Sequence, residues 1–526
     1  MTSELLCHGR IHTPLAPEAT AMAVTDGIVT WVGPDGPAQA LYPDAEVIDL
    51  DGAFVAPAFV DAHVHVTASG LLLDGLDLRG CPSLACCLGM VADQVQAGAP
   101  AGGPLLLWGH GWDEMDWPER RPPTRAELDE AAGDTPVYLS RIDVHSALAS
   151  TALVDLAPAA RAASGWSDTG PLTADAHHHV RDAALRALDG TQRRASQRAF
   201  LRHVAARGVA AVHECAGPEI SGLDDLADLL AVAAEGGMPE VVAYWGEVTD
   251  PAVAAKLGVA GLAGDLFVDG ALGSHTAWLR QPYVDLPADR PGGAVGNTYL
   301  KAERITEHLI ACTRARVPAG FHAIGDAAVA TVVDGLLAAE RTLGTPALAA
   351  CGHRVEHLEM VTAEQARVLA RCGVIASVQP GFDAAWGGHE GMYAAWLGAD
   401  RASGMNPYAT LAAAGVTLAF GSDAPVTPVD PWATVRAAVH HHTPGSGLSP
   451  RAAFDAHTRA GWWAGGVRDG VTGTLTPGAP ATYAVWRAAE FVGGLPSVDP
   501  EAEPPVCLRT VLRGEVIYER DELPAG

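Results

Sequence analysis

Residues 59–66 read FVDAHVHV, and the fold turns on whether this apolar run is a strand. In a strand successive side chains point to opposite faces, so Asp61, His63 and His65 would share one face. An isolated His-x-His says little by itself. It gains meaning only if metal-ligating side chains recur at the ends of other strands.

Outward from this run, short apolar stretches alternate with Ala/Leu-rich helical ones. They are AFVDAHVH (58–65), GVAAVHECA (208–216), PEVVAYWGE (239–247), GDLFVDG (264–270), RVPAGFHAIGD (316–326), HRVEHLE (353–359), GVIASVQP (373–380) and GVTLAFGSDAP (415–425). Helices intervene, for example EQARVLARCG, whose glycine stands just past the end as a stop signal. About eight parallel strands with helices between them make an α/β chain with a (β/α)8 TIM barrel. A doubly wound open sheet is the alternative, but no Gly-rich phosphate loop follows the first strand.

Both ends of the chain read as short strands with tight turns. Asp26-Gly27 and Arg513-Gly514 sit between alternating apolar residues, which is a hairpin signal. Residues 1–56 and 471–526 would therefore close one small β-sandwich around a barrel at 57–470. From Thr67 to about Gly208 the chain is too long for a simple connection, so a subdomain at about 70–200 is expected after the first strand, over the barrel mouth.

The whole chain has 526 residues, 48% hydrophobic and 18% charged, which fits a folded globular protein. Its net charge of −28 excludes nucleic acid as a partner and disfavours anionic membranes. Nine cysteines without a C-x-x-C pair suggest buried, reduced thiols. With no leader-like start and no membrane-length apolar run, a cytoplasmic protein acting on a small molecule is the expectation.

In a parallel barrel the strand ends share one face, where active sites are built. That face would gather His63 and His65 from the first strand, His322 from the fifth, His357 from the sixth and Asp423 from the eighth. Imidazoles and a carboxylate converging this way suit a divalent metal, Zn2+ first, with a position left for water. Such an ion acidifies water, and Asp423 would take the nucleophile's proton and pass it to a departing nitrogen. The metal or His357 would steady the developing oxyanion. This chemistry points to hydrolysis of a C–N bond in an amide, formamide or lactam.

The motifs FVDAHVH, DLFVDGALGSHTAWL, FHAIGDAAV, HRVEHLEMV, ASVQPGF and FGSDAPV resemble the amidohydrolase superfamily, in the branch that includes the N-substituted formamide deformylases. The resemblance spans nearly the whole chain and implies that His63, His65, His322, His357 and Asp423 are metal ligands. In that branch the fourth strand carries Lys-x-x-x-Asp-Gly, with a lysine that can be carbamylated to bridge two metals. Here the lysine position is Asp265, whose short stem argues against the same reach. One metal on His63, His65, His322 and Asp423 is therefore expected, with His357 as a nearby hydrogen-bonding group; two metals and a ligating Asp265 stay open. Asp269, nearer the mouth, is a second candidate acid.

The same resemblance places the insertion at the substrate pocket, with Trp112, Asp113, Arg141 and His145 as candidate contacts beside Asp269; core-filling tryptophans are the alternative. His213 and Glu214 end the second strand, as substrate contacts or a packed pair. The runs His177–His179 and His440–His442 read as solvent-facing, and the long stretch after the seventh strand as a flap. Barrels of this branch are often dimers, so a homodimer is the implied assembly. The runner-up chemistries are deamination of an amidine-like carbon and a non-hydrolytic metal reaction such as decarboxylation.

Overall fold

The structure is a computed structural model that describes residues 3–98, 106–287 and 294–520. Its centre is an α/β fold of the TIM-barrel type. Three parallel strands, β1 (Phe59–Val64), β2 (Val209–Ala216) and β3 (Glu240–Trp245), pair with β2 in the middle. Four more, β4 (Gly320–Ala323), β5 (Arg354–His357), β6 (Ile375–Val378) and β7 (Thr417–Phe420), pair in chain order, also parallel. Single bridges join the two runs. Val64 meets Ala424 on one side, while Tyr244–Gly261, Leu262–Ala319 and Phe267–His322 carry the other through residues 261–267. β1 and β2 are buried along their whole length, as strands covered on both faces must be.

The fourth apolar run does not form a regular strand; it makes single bridges only. Gly264 takes φ +80°, and a Cβ there would stand 3.0 Å from Cys215 Cβ. A Cβ on Gly246 would stand 2.7 Å from the carbonyl oxygen of Asp265. These two glycines let residues 264–265 press inward between their neighbours.

The helix signals read from the sequence hold where they were strongest. The EQARVLARCG segment is helical over Ala363–Arg371 and opens on a capping box between Thr362 and Gln365, which satisfies two otherwise free backbone donors. Gly373 beyond it has φ +66°.

Strands from both chain ends form two sheets around the core of Leu6, Met22, Val55, Tyr483 and Val511. One sheet runs in the order 28–33, 21–25, 3–7, 46–49; the other in the order 10–11, 54–57, 483–487, 506–512, 515–519. Both expected hairpin turns are present, with positive φ at Asp26, Gly27, Arg513 and Gly514. Their tips meet, since a Cβ on Gly514 would fall 2.4 Å from Gly27 Cα. A further five-stranded sheet, from 76–77 to 172–173, belongs to the long excursion after β1. Residues 99–105 of this excursion lie outside the described residues.

Phe59 at the start of β1 joins these parts. Its ring packs edge-on against Trp432 at 5.2 Å, Phe454 at 5.4 Å and Trp486 at 5.8 Å between centroids. Trp486 comes from the terminal sheet, so Trp486→Ala should cost about 3–5 kcal/mol and lower the urea midpoint of the whole chain. An unchanged midpoint would show that the terminal sheet does not support the central fold.

Candidate active site

Asp265 is the hub of the site. Its Oδ2 lies 3.1 Å from His65 Nε2, and its Oδ1 lies 3.5 Å from His63 Nε2, 3.3 Å from His322 Nδ1 and 3.9 Å from His357 Nε2. Asp265 therefore comes within 4 Å of all four imidazoles despite its one-carbon stem. A regular strand would keep the short stem out of reach unless the backbone moved inward, and residues 264–265 depart from regular pairing at a left-handed Gly264.

The four residues expected around one metal are not all paired with one another. Asp423 Oδ1 lies 3.4 Å from His63 Nε2 and 3.2 Å from His65 Nε2, but among the described residues it makes no such pair with His322 or His357. Those two face each other, His357 Nε2 to His322 Nδ1 at 3.0 Å. The donors thus fall into two half-sites, with Asp265 between them.

Three of the imidazoles are turned by fixed partners. His63 Nδ1 lies 2.9 Å from Glu356 Oε2, His357 Nδ1 lies 2.8 Å from Gln379 Oε1, and His322 Nε2 lies 3.3 Å from the Gly270 carbonyl. Each partner accepts a hydrogen bond, which puts the ring proton on that nitrogen and leaves a lone pair on the other. All three lone pairs aim at Asp265. Two such nitrogens 3.0 Å apart cannot bond each other, but both can bind a cation. His63 Nε2 and Asp423 Oδ1 are buried and have no hydrogen-bond partner, a state that a bound metal relieves. The residues fit a metal centre.

Without an ion between them, protons take its place in the same field. Burial opposes charge on His65, but Asp265 and Asp423 overcome it and hold the ring up at about 9. Burial likewise opposes charge on Asp265, yet His63 and the neighbouring imidazoles hold its carboxyl well below the usual range. His357 and Asp423 take positive φ, 72° and 54°, uncommon for residues with a Cβ and concentrated at functional sites.

Beneath the cluster lies a charged pair that the sequence reading missed. Arg354 Nε donates to Glu356 Oε1 at 2.6 Å and its Nη2 donates to Oε2 at 2.8 Å and to the Ala62 carbonyl at 2.7 Å. Both side chains are buried. Burial would raise the Glu356 carboxyl, and Arg354 and His63 hold it well below its usual range instead. The signal was the alternation in HRVEHLE, which puts residues 354 and 356 on one face. His213 also belongs to this layer, with Nδ1 3.1 Å from Arg354 Nη1. Glu214 accepts from the Val66 amide at 2.7 Å and lines the cavity, its carboxyl pushed up to about 7 by burial.

Two chambers open on the cluster, a larger and a smaller, and His145, His322, His357 and Asp423 line both. Arg141 lines the smaller chamber, clasped by Asp113, Glu114 and Asp143 at 2.8, 3.1 and 3.2 Å. Three expected contacts are elsewhere. Trp112 lies in the core of the excursion and donates to the Leu139 carbonyl. Asp113 serves Arg141 rather than a chamber wall. Asp269 accepts from the amides of Trp278, Ile324 and Gly325 at 2.8, 3.0 and 2.8 Å, so it fixes the start of the helix Asp326–Leu343 and is not a second acid at the mouth.

The histidine runs are also not solvent-facing throughout. His177 is buried on Tyr138, His178 lines the larger chamber, and His441 is buried beside Asp383. Within the stretch after β6, Phe382, Trp386 and Tyr393 line the smaller chamber. Tyr393 donates to Glu359 at 2.7 Å, and burial pushes that carboxyl up to about 7. Trp386 and Tyr393 lie outside the motifs of the sequence, whereas Phe382 closes ASVQPGF and Glu359 belongs to HRVEHLEMV.

Four imidazoles and two carboxylates at the mouth of such a fold define a metal-dependent hydrolase. Residues 46–518 match the amidohydrolase family model, and the chain belongs to that family, an enzyme class that cleaves C–N bonds other than peptide bonds. The chain is 25% identical over 95% of its length to YtcJ of Bacillus subtilis (strain 168), which carries an amidohydrolase name, and the match covers 96% of that protein. It is 24% identical to the N-substituted formamide deformylase of Arthrobacter pascens, over 83% of each chain. Among solved structures, an uncharacterized metal-dependent hydrolase from Pyrococcus horikoshii OT3 superposes with a TM-score of 0.73 at 25% identity, covering 96% of this chain and all of that one. Among the described residues no helix is long and apolar enough to cross a membrane.

Arg354→Met would strand Glu356 as a buried, unpaired carboxylate, at a cost of about 3–5 kcal/mol. Urea unfolding should show that loss, and the double variant Arg354→Met/Glu356→Gln should recover part of it. Wild-type stability in Arg354→Met would refute the pairing.

Proposed function

We propose that this enzyme hydrolyses the C–N bond of an amide, formamide or lactam in a small, partly apolar substrate, and that Asp265 with the surrounding imidazoles and Asp423 would hold two divalent metals. The observation that carries the reading is Asp265 within 4 Å of four imidazole nitrogens, three of them turned to present lone pairs. In this reading His63, His65 and Asp423 hold one ion and His322 and His357 the other. Nitrogen and carboxylate donors favour Zn2+. The kinship to an N-substituted formamide deformylase supports the substrate class.

A bound ion supplies Lewis acidity and brings the pKa of a bound water down to about 7. Asp423, held in place by its amide's bond to the His63 carbonyl at 2.8 Å, accepts the proton that the attacking water gives up. As the C–O bond forms and the C–N bond breaks, the same carboxyl delivers the proton to the leaving nitrogen. His145, which lines both chambers, is placed to hydrogen-bond the substrate carbonyl. His357 is tied to Gln379 and acts as a ligand in this scheme rather than as the oxyanion's donor.

The domain reading follows the sheets. We assign residues 1–56 and 471–526 to one β-sandwich, 57–470 to an eight-position barrel with residues 261–270 in the fourth place, and about 70–200 to an inserted subdomain that walls the chambers. The cytoplasm and a homodimer remain the expected location and assembly.

Asp423→Asn tests the proton transfer. Turnover of formanilides and small lactams should fall by about 10²–10⁴-fold with the fold retained by circular dichroism. Unchanged turnover would remove Asp423 from the mechanism, and a wild type inert on every amide and lactam would contradict the reaction class.

A further inference from the structure

The larger chamber is apolar over most of its wall, with Trp108, Tyr138, Leu185, Ile220 and Phe267 facing it. Arg181 also lines it, from the helix Ala174–Arg186 of the long excursion. Its Nη2 donates to the backbone carbonyl of Glu219, while its Nε is buried with no hydrogen-bond partner. Among the described residues no carboxylate lies within ion-pair distance of this guanidinium. The nearby carboxylate of Glu219 is 58% exposed and is taken by His178 Nδ1 at 3.2 Å.

Arg436 also keeps a buried Nε without a partner, but of the two only Arg181 lines a chamber at the metal cluster. Acids outnumber Lys and Arg 62 to 34, and the other arginine at a chamber wall, Arg141, is surrounded by three carboxylates. A donor left unmade on a buried face costs free energy, and a planar guanidinium matches a carboxylate in charge and geometry. The wall between Arg181 and the metal cluster is continuous. His178 stacks on Phe267 at 5.9 Å, and Phe267 packs edge-on against His322 at 4.9 Å. An apolar spacer would lie along these rings, with one end at the metals and the other at the cation.

We propose that the larger chamber receives a substrate arm that ends in a carboxylate, bound by Arg181. The substrate is then an N-acylated amine or amide with an anionic terminus on an apolar or aromatic spacer. This inference rests on the hydrolase reading for the reaction, but the anion subsite is a property of Arg181 and can be tested without turnover.

The test is calorimetric binding of phenylbutyrate and of its uncharged twin, phenylbutanamide, to the purified full-length protein. The wild type should bind the carboxylate more tightly by about tenfold or more. Arg181→Gln should bring that ratio close to one, and Arg181→Lys should keep part of it. A ratio that survives in Arg181→Gln would mean that the carboxylate sits on the metal cluster, and would overturn the proposal. So would a wild type that binds neither compound or prefers the amide. A parallel rate comparison uses para-formamidobenzoate and para-formamidobenzamide. If the carboxylate preference in binding depends on Arg181 but neither compound is cleaved, the anion subsite stands and the hydrolase reading falls.

Discussion

The site depends on one constraint: a single buried carboxylate has to stand within reach of four imidazoles at once. Asp265 does so because its backbone, and not its side chain, provides the reach. Gly264 allows the left-handed turn and Gly246 leaves room for the carbonyl of Asp265. Where a long side chain could span the distance from a regular strand, a short one needs the strand to break. The loss of regular pairing at the fourth position is thus tied to the chemistry of the residue it carries.

The surrounding residues turn the imidazoles toward one point. Glu356, Gln379 and the Gly270 carbonyl each fix one ring proton, so the facing nitrogens are bases. The Arg354–Glu356 pair beneath them is costly to bury, and its geometry shows what that cost secures. Glu356 orients His63, while Arg354 ties together the Ala62 carbonyl of β1, Ser377 of β6 and His213 of β2. The positions of the ligating strands and the orientation of a ligand therefore rest on the same ion pair.

Much of this was legible in the sequence, for identifiable reasons. Strand parity in FVDAHVHV and the placing of His322, His357 and Asp423 at the ends of apolar runs pointed to the side chains that cluster around Asp265. Asp-Gly and Arg-Gly gave the two hairpins, whose backbone angles only such turns favour. What was not legible depends on three-dimensional contacts. A break at Gly264 cannot be told from a glycine in a loop, so the reach of Asp265 was misjudged. Asp269 follows strand parity but is used up by three backbone amides. Trp112 and His177 are buried by packing within the excursion, which no local pattern announces.

The central claim is that Asp265 stands between two metal ions. Elemental analysis of the purified protein measures this directly, as moles of divalent metal per chain. The account predicts two equivalents, with one lost on Asp265→Ala. A single equivalent that is unaffected by that substitution would contradict it and would return the site to one ion, with Asp265 a bystander.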